Sequence, residues 1–209
     1  MMTLPLVLRG DVRPFVIVGG GPVAARKADT LVKAGAEVLL IAPQVTADIQ
    51  SLADDGALTL ALREAQSGEV FRAGSFVVLA TNDADTNQQL AEQARAQHCF
   101  VCRTDQPDDN DFIFPAVIDR SPLMVSVSTR GSAPALTRHI RQRLEAFIPQ
   151  DYGRLAGYAE SLRERVKSLL PKQERAAFWR RWLNSRAPEM ILARQPQRAE
   201  AETEACLQG

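Results

Sequence analysis

Short apolar runs alternate with amphipathic segments along the first half of the chain. The runs occupy residues 15–18, 37–42, 58–62, 76–80 and 99–103. Each has the length of a strand, and the second does not alternate, which is typical of a strand buried on both faces. Helical patterns separate the runs: one ends at Gly35, one begins at Thr46 and one covers 85–97. This alternation predicts an α/β fold with a Rossmann-like, doubly wound parallel sheet.

The pattern changes after Asp105, where the stretch QPDDND indicates a loop. Two strand-like segments follow, 112–118 and 123–128, with Asp119-Arg120-Ser121-Pro122 as the turn between them. They predict a β-hairpin. Because an isolated hairpin is only marginally stable in water, its apolar residues are expected to need a partner surface. These residues are Phe112, Phe114, Val117, Leu123 and Val125.

Helical patterns dominate the chain from Pro134 onward. The tail from Arg186 is polar, alanine-rich and weakly patterned, so we expect it to be mobile. The chain is therefore predicted to have three parts. They are a Rossmann domain for a dinucleotide at 1–112, a hairpin dimerisation segment at 113–148, and a helical domain with a mobile tail at 149–209.

Composition narrows the class of protein. The 209 residues are 45% hydrophobic and 24% charged, which suits a soluble protein with a buried core. Lys+Arg and Asp+Glu each number 25, and this balance argues against nucleic acid as a partner. No apolar run approaches the ~18 residues that span a bilayer, and no signal peptide is visible. We therefore expect a cytoplasmic protein that binds neither membranes nor nucleic acid.

A glycine-rich turn follows the first predicted strand and opens its helix. Gly19-x-Gly21-x-x-Ala24 matches the dinucleotide-binding pattern, in which small residues let the backbone approach a pyrophosphate at a helix N-terminus. The alternative is a glycine turn without a ligand. No Asp or Glu ends the second strand to bind the adenosine ribose, because Pro43 and Gln44 occupy that place. The spacing leaves the choice between NAD and NADP open.

Asp105 is the candidate for chemistry, because it follows the fifth predicted strand at the edge where doubly wound folds bind ligands. A carboxylate there could move protons or hold a metal. The competing interpretation is an Asx-turn before Pro107. Asp108, Asp109 and Asp111 are interpreted as solvated loop charges, and Asp119 as a turn residue.

The cysteines and histidines give little indication of chemistry. Cys99 and Cys102 match CxxC inside a predicted strand, where residues i and i+3 point to opposite faces, so we interpret them as core residues. Together with Cys206 they do not make a disulfide framework. His98 and His139 show no metal-ligand spacing and are interpreted as structural. No permanent metal is expected.

The helical part is locally basic. From Arg138 to Arg181 there are eleven Lys or Arg and five Asp or Glu. A solvated helix face is one interpretation of this surplus. A small polyanionic substrate is the other, since arginine forks bind carboxylates, and Arg120 and Arg130 would add to the same field.

Several separated motifs occur in an order that resembles one protein family. They are VIVGGGPVAARKADTLVKAGAEVLLIAP, LATNDADTN, FIFPAVIDRSPLMVSVSTRGSAPALTR and QERAAFWRRWL, spread over about residues 3–186. Together they resemble the N-terminal module of bacterial siroheme synthase, the precorrin-2 dehydrogenase/sirohydrochlorin ferrochelatase. The resemblance implies NAD-dependent oxidation of precorrin-2 to sirohydrochlorin, and then insertion of Fe²⁺ to give siroheme, in one active site.

The resemblance also implies roles for individual residues. Those expected to contact NAD are Gly19, Gly21, Pro22, Val23, Pro43, Gln44 and Thr81. Asp105 aligns with the family's key aspartate, which is thought to serve both reactions, with iron as a substrate. Substrate binding is expected at Ser128, Thr129, Arg130 and Arg138. Threonine at 129 replaces the family's second serine, which puts a serine-specific role there in doubt. The hairpin implies a homodimer.

Two other functions remain compatible with these residues. One is a Rossmann dehydrogenase that acts on another polycarboxylate, and the motifs after the sheet argue against it. The other is a non-catalytic sensor of NAD(H) or a tetrapyrrole. Asp105 at the cofactor edge favours catalysis, because hydride transfer to a nicotinamide requires a group that accepts a proton.

Overall fold

The computed structural model describes residues 3–208, and the chain divides after Phe114 into two compact units. The first unit holds a five-stranded sheet with three helices. Its strands are β1 (Phe15–Val18), β2 (Val38–Ala42), β3 (Thr59–Leu62), β4 (Phe76–Leu79) and β5 (Phe100–Arg103). Its helices are α1 (Pro22–Lys33), α2 (Ala47–Asp54) and α3 (Ala84–Ala96). All pairings are parallel in the order β3-β2-β1-β4-β5, so the predicted Rossmann-like doubly wound fold is confirmed.

Strand β1 organises this unit because it is the central strand and all four of its residues are buried. Its side chains alternate between two apolar clusters. Phe15 and Ile17 pack in the cluster that contains α1 and α2 residues. Val16 and Val18 pack in the cluster that contains α3 residues. The chain leaves β1 for β2 on one side and later reaches β4 on the other, which creates a switch point at the carboxyl edge of the sheet.

The second unit combines a hairpin with five helices. The hairpin pairs β6 (Ala116–Arg120) with β7 (Leu123–Val127) in antiparallel register. The helices are α4 (Pro134–Phe147), α5 (Asp151–Leu169), α6 (Arg175–Asn184), α7 (Ala187–Leu192) and α8 (Pro196–Gln208). None of the helices among residues 3–208 is long and apolar enough to cross a membrane.

Phe112 and Phe114 lie outside the hairpin, so the predicted strand over 112–118 is wrong in its first half. Both residues pack against the first unit's core. Phe112 makes an edge-to-face contact with Phe76, with ring centroids 5.1 Å apart, and the Lys27 ammonium lies 3.9 Å from the Phe114 ring centroid. Alternating aromatic residues occur both in strands and in loops that cover a core. Sequence periodicity therefore does not distinguish these two structures.

The C-terminal segment also departs from expectation, because the tail predicted to be mobile forms α7 and α8. Ala199 is fully buried and Cys206 is buried as well, in a cluster with Phe178 and Trp182. The Trp182 indole N–H donates to the Thr203 hydroxyl at 2.9 Å, and both side chains are fully buried. Small residues carry the buried face of α8, and so its helical pattern is weak in the sequence.

We predict that Thr203→Val lowers the free energy of unfolding of the second unit by about 1–3 kcal/mol, because it leaves the buried Trp182 N–H without an acceptor. Both tryptophans, Trp179 and Trp182, lie in this unit, so denaturation followed by tryptophan fluorescence reports on it. Ser168→Ala, which removes an exposed hydroxyl from α5, is the matched control and should change stability by less than ~0.5 kcal/mol. Equal stabilities for the two variants would contradict the packing of α8.

Candidate functional site

A cleft of about 760 Å³ opens at the carboxyl edge of the parallel sheet. The loops that follow β1, β2, β3 and β4 form its walls. The lining residues are Val18, Gly19, Gly20, Gly21, Ile41, Ala42, Pro43, Gln44, Val45, Thr46, Glu64, Ala65, Ala80, Thr81, Asn82, Asp83 and Thr86. Five of the seven predicted cofactor residues therefore lie on one cleft, and Pro22 and Val23 begin the helix that the cleft faces.

The glycine loop forms the floor because two of its residues have no room for a side chain. Gly19 has φ +125°, and a Cβ there would lie 2.4 Å from the Ala80 carbonyl oxygen. A Cβ on Gly20 would lie 1.9 Å from the Gln44 carbonyl oxygen. The Gly20 carbonyl also accepts from the Thr46 N–H at 3.0 Å. These contacts fix the loop against the ends of β2 and β4.

Gly21 differs from its neighbours, since a Cβ there would meet no atom within 4 Å. Its φ of −82° is open to any residue, so its backbone does not require glycine. Pro22 follows at the first position of α1, and no side chain caps the helix. The first-turn N–H groups and the positive end of the helix dipole are therefore available to an anion beside Gly21.

The cleft fits a dinucleotide on two structural grounds. The open space at Gly21, beside an uncapped helix N-terminus, suits a pyrophosphate. Thr46 lines the same cleft, and its hydroxyl oxygen is buried without a hydrogen-bond partner among the described residues. A buried polar atom without a partner is uncommon in native structures, and a ribose or phosphate oxygen would satisfy it.

The wall opposite the β2 loop is built on Thr81 and Asn87. The Thr81 hydroxyl lies 2.7 Å from the Asn87 side-chain oxygen, and the Asn87 amide donates to the Thr81 carbonyl at 3.2 Å. Asn87 is fully buried. Asp83 caps α3 by accepting from the Asp85 N–H, which orients this wall. Asn87 thus holds Thr81, a predicted cofactor residue, from a buried position within the first unit.

Asp105 follows β5 and is paired with Arg103. The guanidinium donates to both carboxylate oxygens, at 3.3 Å from Nε and 2.8 Å from Nη2. Arg103 is itself only 6% exposed and is held by Gln88 and Asp109. Hydrogen bonding from Arg103 lowers the pKa of Asp105, so its carboxylate stays ionised well below neutral pH.

The Asx-turn interpretation of Asp105 is wrong. Such a turn needs the N–H of residue i+2, and here that residue is Pro107, which has none. The side chain instead accepts from Arg103. Asp119 does form the predicted turn, since it accepts from the Ser121 N–H at 2.8 Å.

The loop after Asp105 is more firmly held than its composition suggested. Asp111 accepts from the Val101 N–H at 2.8 Å, and Asp109 forms an ion pair with Arg95 at 2.9 Å. The interpretation of these two residues as solvated charges is therefore wrong. Asn110 adds a bond from the Arg103 N–H. This loop fastens β5 to α3 and holds the Asp105 backbone in place.

The interpretation of Cys99 and Cys102 as core residues is confirmed. Cys99 and Cys102 are buried free thiols. Burial raises the pKa of Cys102 to about 11 and also raises that of Cys99, so neither is a reactive thiolate. His98 has φ 60° just after α3, where its carbonyl accepts from the Gly74 N–H. His139 is an exposed residue of α4.

The predicted substrate residues lie in the second unit. Ser128, Thr129 and Arg130 belong to the loop between β7 and α4, and Arg138 is an exposed residue of α4. The Thr129 hydroxyl lies 2.8 Å from the Thr137 hydroxyl and accepts from the Ala133 N–H at 3.1 Å. Ser128 accepts from the Arg130 N–H at 3.0 Å. The hydroxyls thus shape the entry to α4 and leave the two arginines exposed.

Two family models match different parts of the chain. The family model described as putative NAD(P)-binding matches residues 6–116, and the model described as the sirohaem synthase dimerisation region matches residues 151–207. The second match covers helices α5 to α8. It lies beyond the segment 113–148 that the sequence assigned to dimerisation.

Two siroheme synthases that are similar to this chain are longer than it is. Siroheme synthase 1 of Aeromonas hydrophila is 41% identical over 200 residues, which cover 96% of this chain and 43% of that protein. Siroheme synthase of Methylococcus capsulatus is 44% identical, over 94% of this chain and 42% of its own length. The chain thus spans less than half the length of these relatives. The solved structure of SirC, precorrin-2 dehydrogenase, shares the fold, with a TM-score of 0.81, 22% identity, and coverage of 97% of this chain and 100% of that one.

We predict that Gly21→Asp abolishes binding of NAD(P) and leaves the fold intact. The new carboxylate has room but would stand where an anionic pyrophosphate binds. Calorimetric titration with NAD measures the effect, and thermal melting checks the fold. Gly157→Asp, which adds the same charge at an equally open glycine of α5, should bind as wild type. Unchanged affinity in folded Gly21→Asp would remove the glycine loop from the site.

Proposed function

Because the chain belongs to the putative NAD(P)-binding family and continues into the sirohaem synthase dimerisation region, we propose that it is a bifunctional enzyme of siroheme biosynthesis. It would oxidise precorrin-2 to sirohydrochlorin with NAD, and then insert Fe²⁺ to give siroheme. The observation that carries the proposal is one carboxylate, Asp105, which Arg103 holds just after β5, at the same edge of the sheet as a cleft that fits a dinucleotide.

The cleft residues would bind and orient the cofactor. Gly21 and the start of α1 would hold the pyrophosphate, while Pro43, Gln44 and Thr46 would border the adenosine. The Thr81 wall would border the other half of the cofactor. NAD, when bound, supplies a hydride acceptor. Because a cleft at a switch point exposes one face of the ligand, the tetrapyrrole would approach from the side where β5 ends.

Asp105 would take up the protons that the two reactions release. Dehydrogenation removes a hydride and a proton from precorrin-2, and chelation removes pyrrole N–H protons as iron enters. The Arg103 pair lowers the pKa of Asp105, which keeps the carboxylate ready to accept a proton or to bind Fe²⁺ at neutral pH. The ion pair with Arg103 also makes the Asp105 carboxylate a weaker base, so it would readily release the proton to solvent after each step.

Iron enters this proposal as a substrate. Within residues 3–208 no three His, Cys, Asp or Glu side chains form a group that could hold a metal ion. The tetrapyrrole nitrogens would then be the final ligands of the metal. One carboxylate oxygen of Asp105 is a sufficient transient ligand, since Fe²⁺ accepts oxygen donors.

Exposed arginines of the second unit suit a substrate that carries many negative charges. Precorrin-2 carries many carboxylates, and Arg130 and Arg138 have exposed side chains suited to bind them. Ser128 and Thr129 would position this loop through the bonds that they make to Arg130, Ala133 and Thr137.

We predict that Asp105→Asn loses both half-reactions by ~10²–10⁴ in rate, because the amide keeps the shape and cannot accept a proton. NAD affinity should change little, since Asp105 does not line the cofactor cleft. Steady-state kinetics with precorrin-2 and NAD, and with sirohydrochlorin and Fe²⁺, measure the two steps.

Asp108→Asn is the matched control for this experiment. It removes the same charge from an exposed residue of the same loop and should leave both rates at wild-type values. Thermal melting of the two variants checks their folding. Near-wild-type rates in Asp105→Asn would take Asp105 out of the mechanism.

We further propose that the protein is a homodimer held by the face of the second unit that carries the hairpin and α4. Exposed apolar side chains of the hairpin and α4 include Val117, Met124, Leu136 and Phe147, of which Phe147 is 74% exposed. Apolar patches of this kind usually mark association surfaces.

Sedimentation at micromolar concentration should therefore give a dimer. Phe147→Glu should raise the dissociation constant of this dimer at least ~tenfold. Leu183→Glu is the control on α6, where the side chain is 61% exposed, and it should leave the dimer intact. The reverse result would move the interface to the helices matched by the dimerisation-region model. A monomeric wild type would overturn the proposal.

A further inference from the structure

The cleft is acidic at its rim. Its lining residues include the carboxylates Glu64 and Asp83, and none of the lining residues is Arg, Lys or His. NADP differs from NAD by a 2′-phosphate on the adenosine ribose, which carries close to two negative charges at neutral pH. Proteins that accept NADP usually place an arginine near that phosphate, and those that prefer NAD place a carboxylate near the 2′-hydroxyl.

Glu64 stands at the end of the cleft where the adenosine half is expected. It follows β3, which pairs with β2, so it lies beside the Pro43-Gln44 turn at the same edge of the sheet. The Arg63 N–H donates to the Ala42 carbonyl at 3.1 Å, which extends the β2–β3 pairing up to Glu64. On the other side Ala65 packs against the α3 cluster. The Glu64 backbone is thus fixed on both sides.

The Glu64 carboxylate itself is exposed. It has no hydrogen-bond or ion-pair partner within residues 3–208, so it is not needed for the local structure. Its neighbour Gln44 is neutral and cannot compensate a phosphate. Most NAD-selective folds carry a carboxylate at the end of the second strand, whereas in this chain a carboxylate follows the third strand.

Arg63, next to Glu64, is the cation that a 2′-phosphate would attract, and it is already engaged. Its guanidinium makes two parallel bonds to the Glu69 carboxylate, at 2.6 and 2.8 Å. Glu69 is 9% exposed, and its carboxylate also accepts from the Gln66 N–H at 3.2 Å. A fork-to-fork pair of this geometry holds the arginine in one direction.

We propose that Glu64 excludes cofactors that carry a 2′-phosphate, and that Glu69 reinforces this selectivity by holding Arg63 in an ion pair. The inference rests on the proposed use of NAD in this cleft. Glu64 acts by repulsion and as an acceptor for a ribose hydroxyl. Glu69 is a positioning residue, because it acts through Arg63.

Calorimetric titration of the full chain with NAD and, separately, with NADP tests the proposal. Wild type should bind NAD at least ~tenfold more tightly than NADP. Glu64→Gln should reduce that ratio to about threefold or less, mainly by improving NADP affinity. Glu69→Gln should also improve NADP affinity, because it removes the negative charge that pairs with Arg63, and raised salt should weaken NADP binding to this variant. Thermal melting checks both variants.

Glu37→Gln is the matched control, because the substitution removes the same charge from the same unit. Glu37 is exposed and lies at the opposite end of β2. It should keep the wild-type ratio. If wild type prefers NAD and Glu64→Gln leaves the ratio unchanged, the inference is overturned and the proposed cofactor stands. Equal wild-type affinities for the two cofactors would also overturn the inference alone. Binding of neither cofactor would overturn both.

Discussion

The lack of space beside Gly19 and Gly20 is the constraint on which the site depends. Two backbone segments, at Ala80 and Gln44, approach the glycine loop so closely that a Cβ on either glycine would overlap a carbonyl group. This contact draws the ends of β2 and β4 against the start of α1. The open space at Gly21 and the uncapped start of α1 directly follow this loop in the chain, and the Thr46 N–H bonds the Gly20 carbonyl.

Two carboxylates that follow strands of the sheet, Asp105 after β5 and Glu64 after β3, differ in how they are held. Asp105 is paired with the nearly buried Arg103, which is held in turn by Gln88 and Asp109, and so it is ionised and fixed in direction. Glu64 has no partner within residues 3–208 and faces the cleft from its rim. A paired carboxylate suits a defined chemical step, whereas an unpaired one acts through its field. This difference is the physical basis for assigning catalysis to Asp105 and cofactor selection to Glu64.

The strands and the first three helices could be predicted from the sequence because buried parallel strands appear as continuous apolar runs, and because Gly35 ends α1 in the left-handed region. Gly19, Gly21 and Gln44 were found from a local motif. Gly20, Thr46 and Asn87 were missed, since their importance depends on contacts with distant segments.

The pairing of Arg103 with Asp105 could have been suspected from their spacing. Helix α8 was missed because alanine, threonine and cysteine form its buried face.

Whether the protein is a precorrin-2 dehydrogenase can be tested by the absorbance of NADH, recorded after the wild-type protein is mixed with NAD and precorrin-2 in the absence of metal. We expect multiple turnovers, with one NADH formed for each sirohydrochlorin and no NADH formed from unrelated polycarboxylates. A protein that binds NAD and precorrin-2 and forms no NADH would be a sensor, and that result would contradict the account. Formation of NADH only from a different polycarboxylate would contradict it as well.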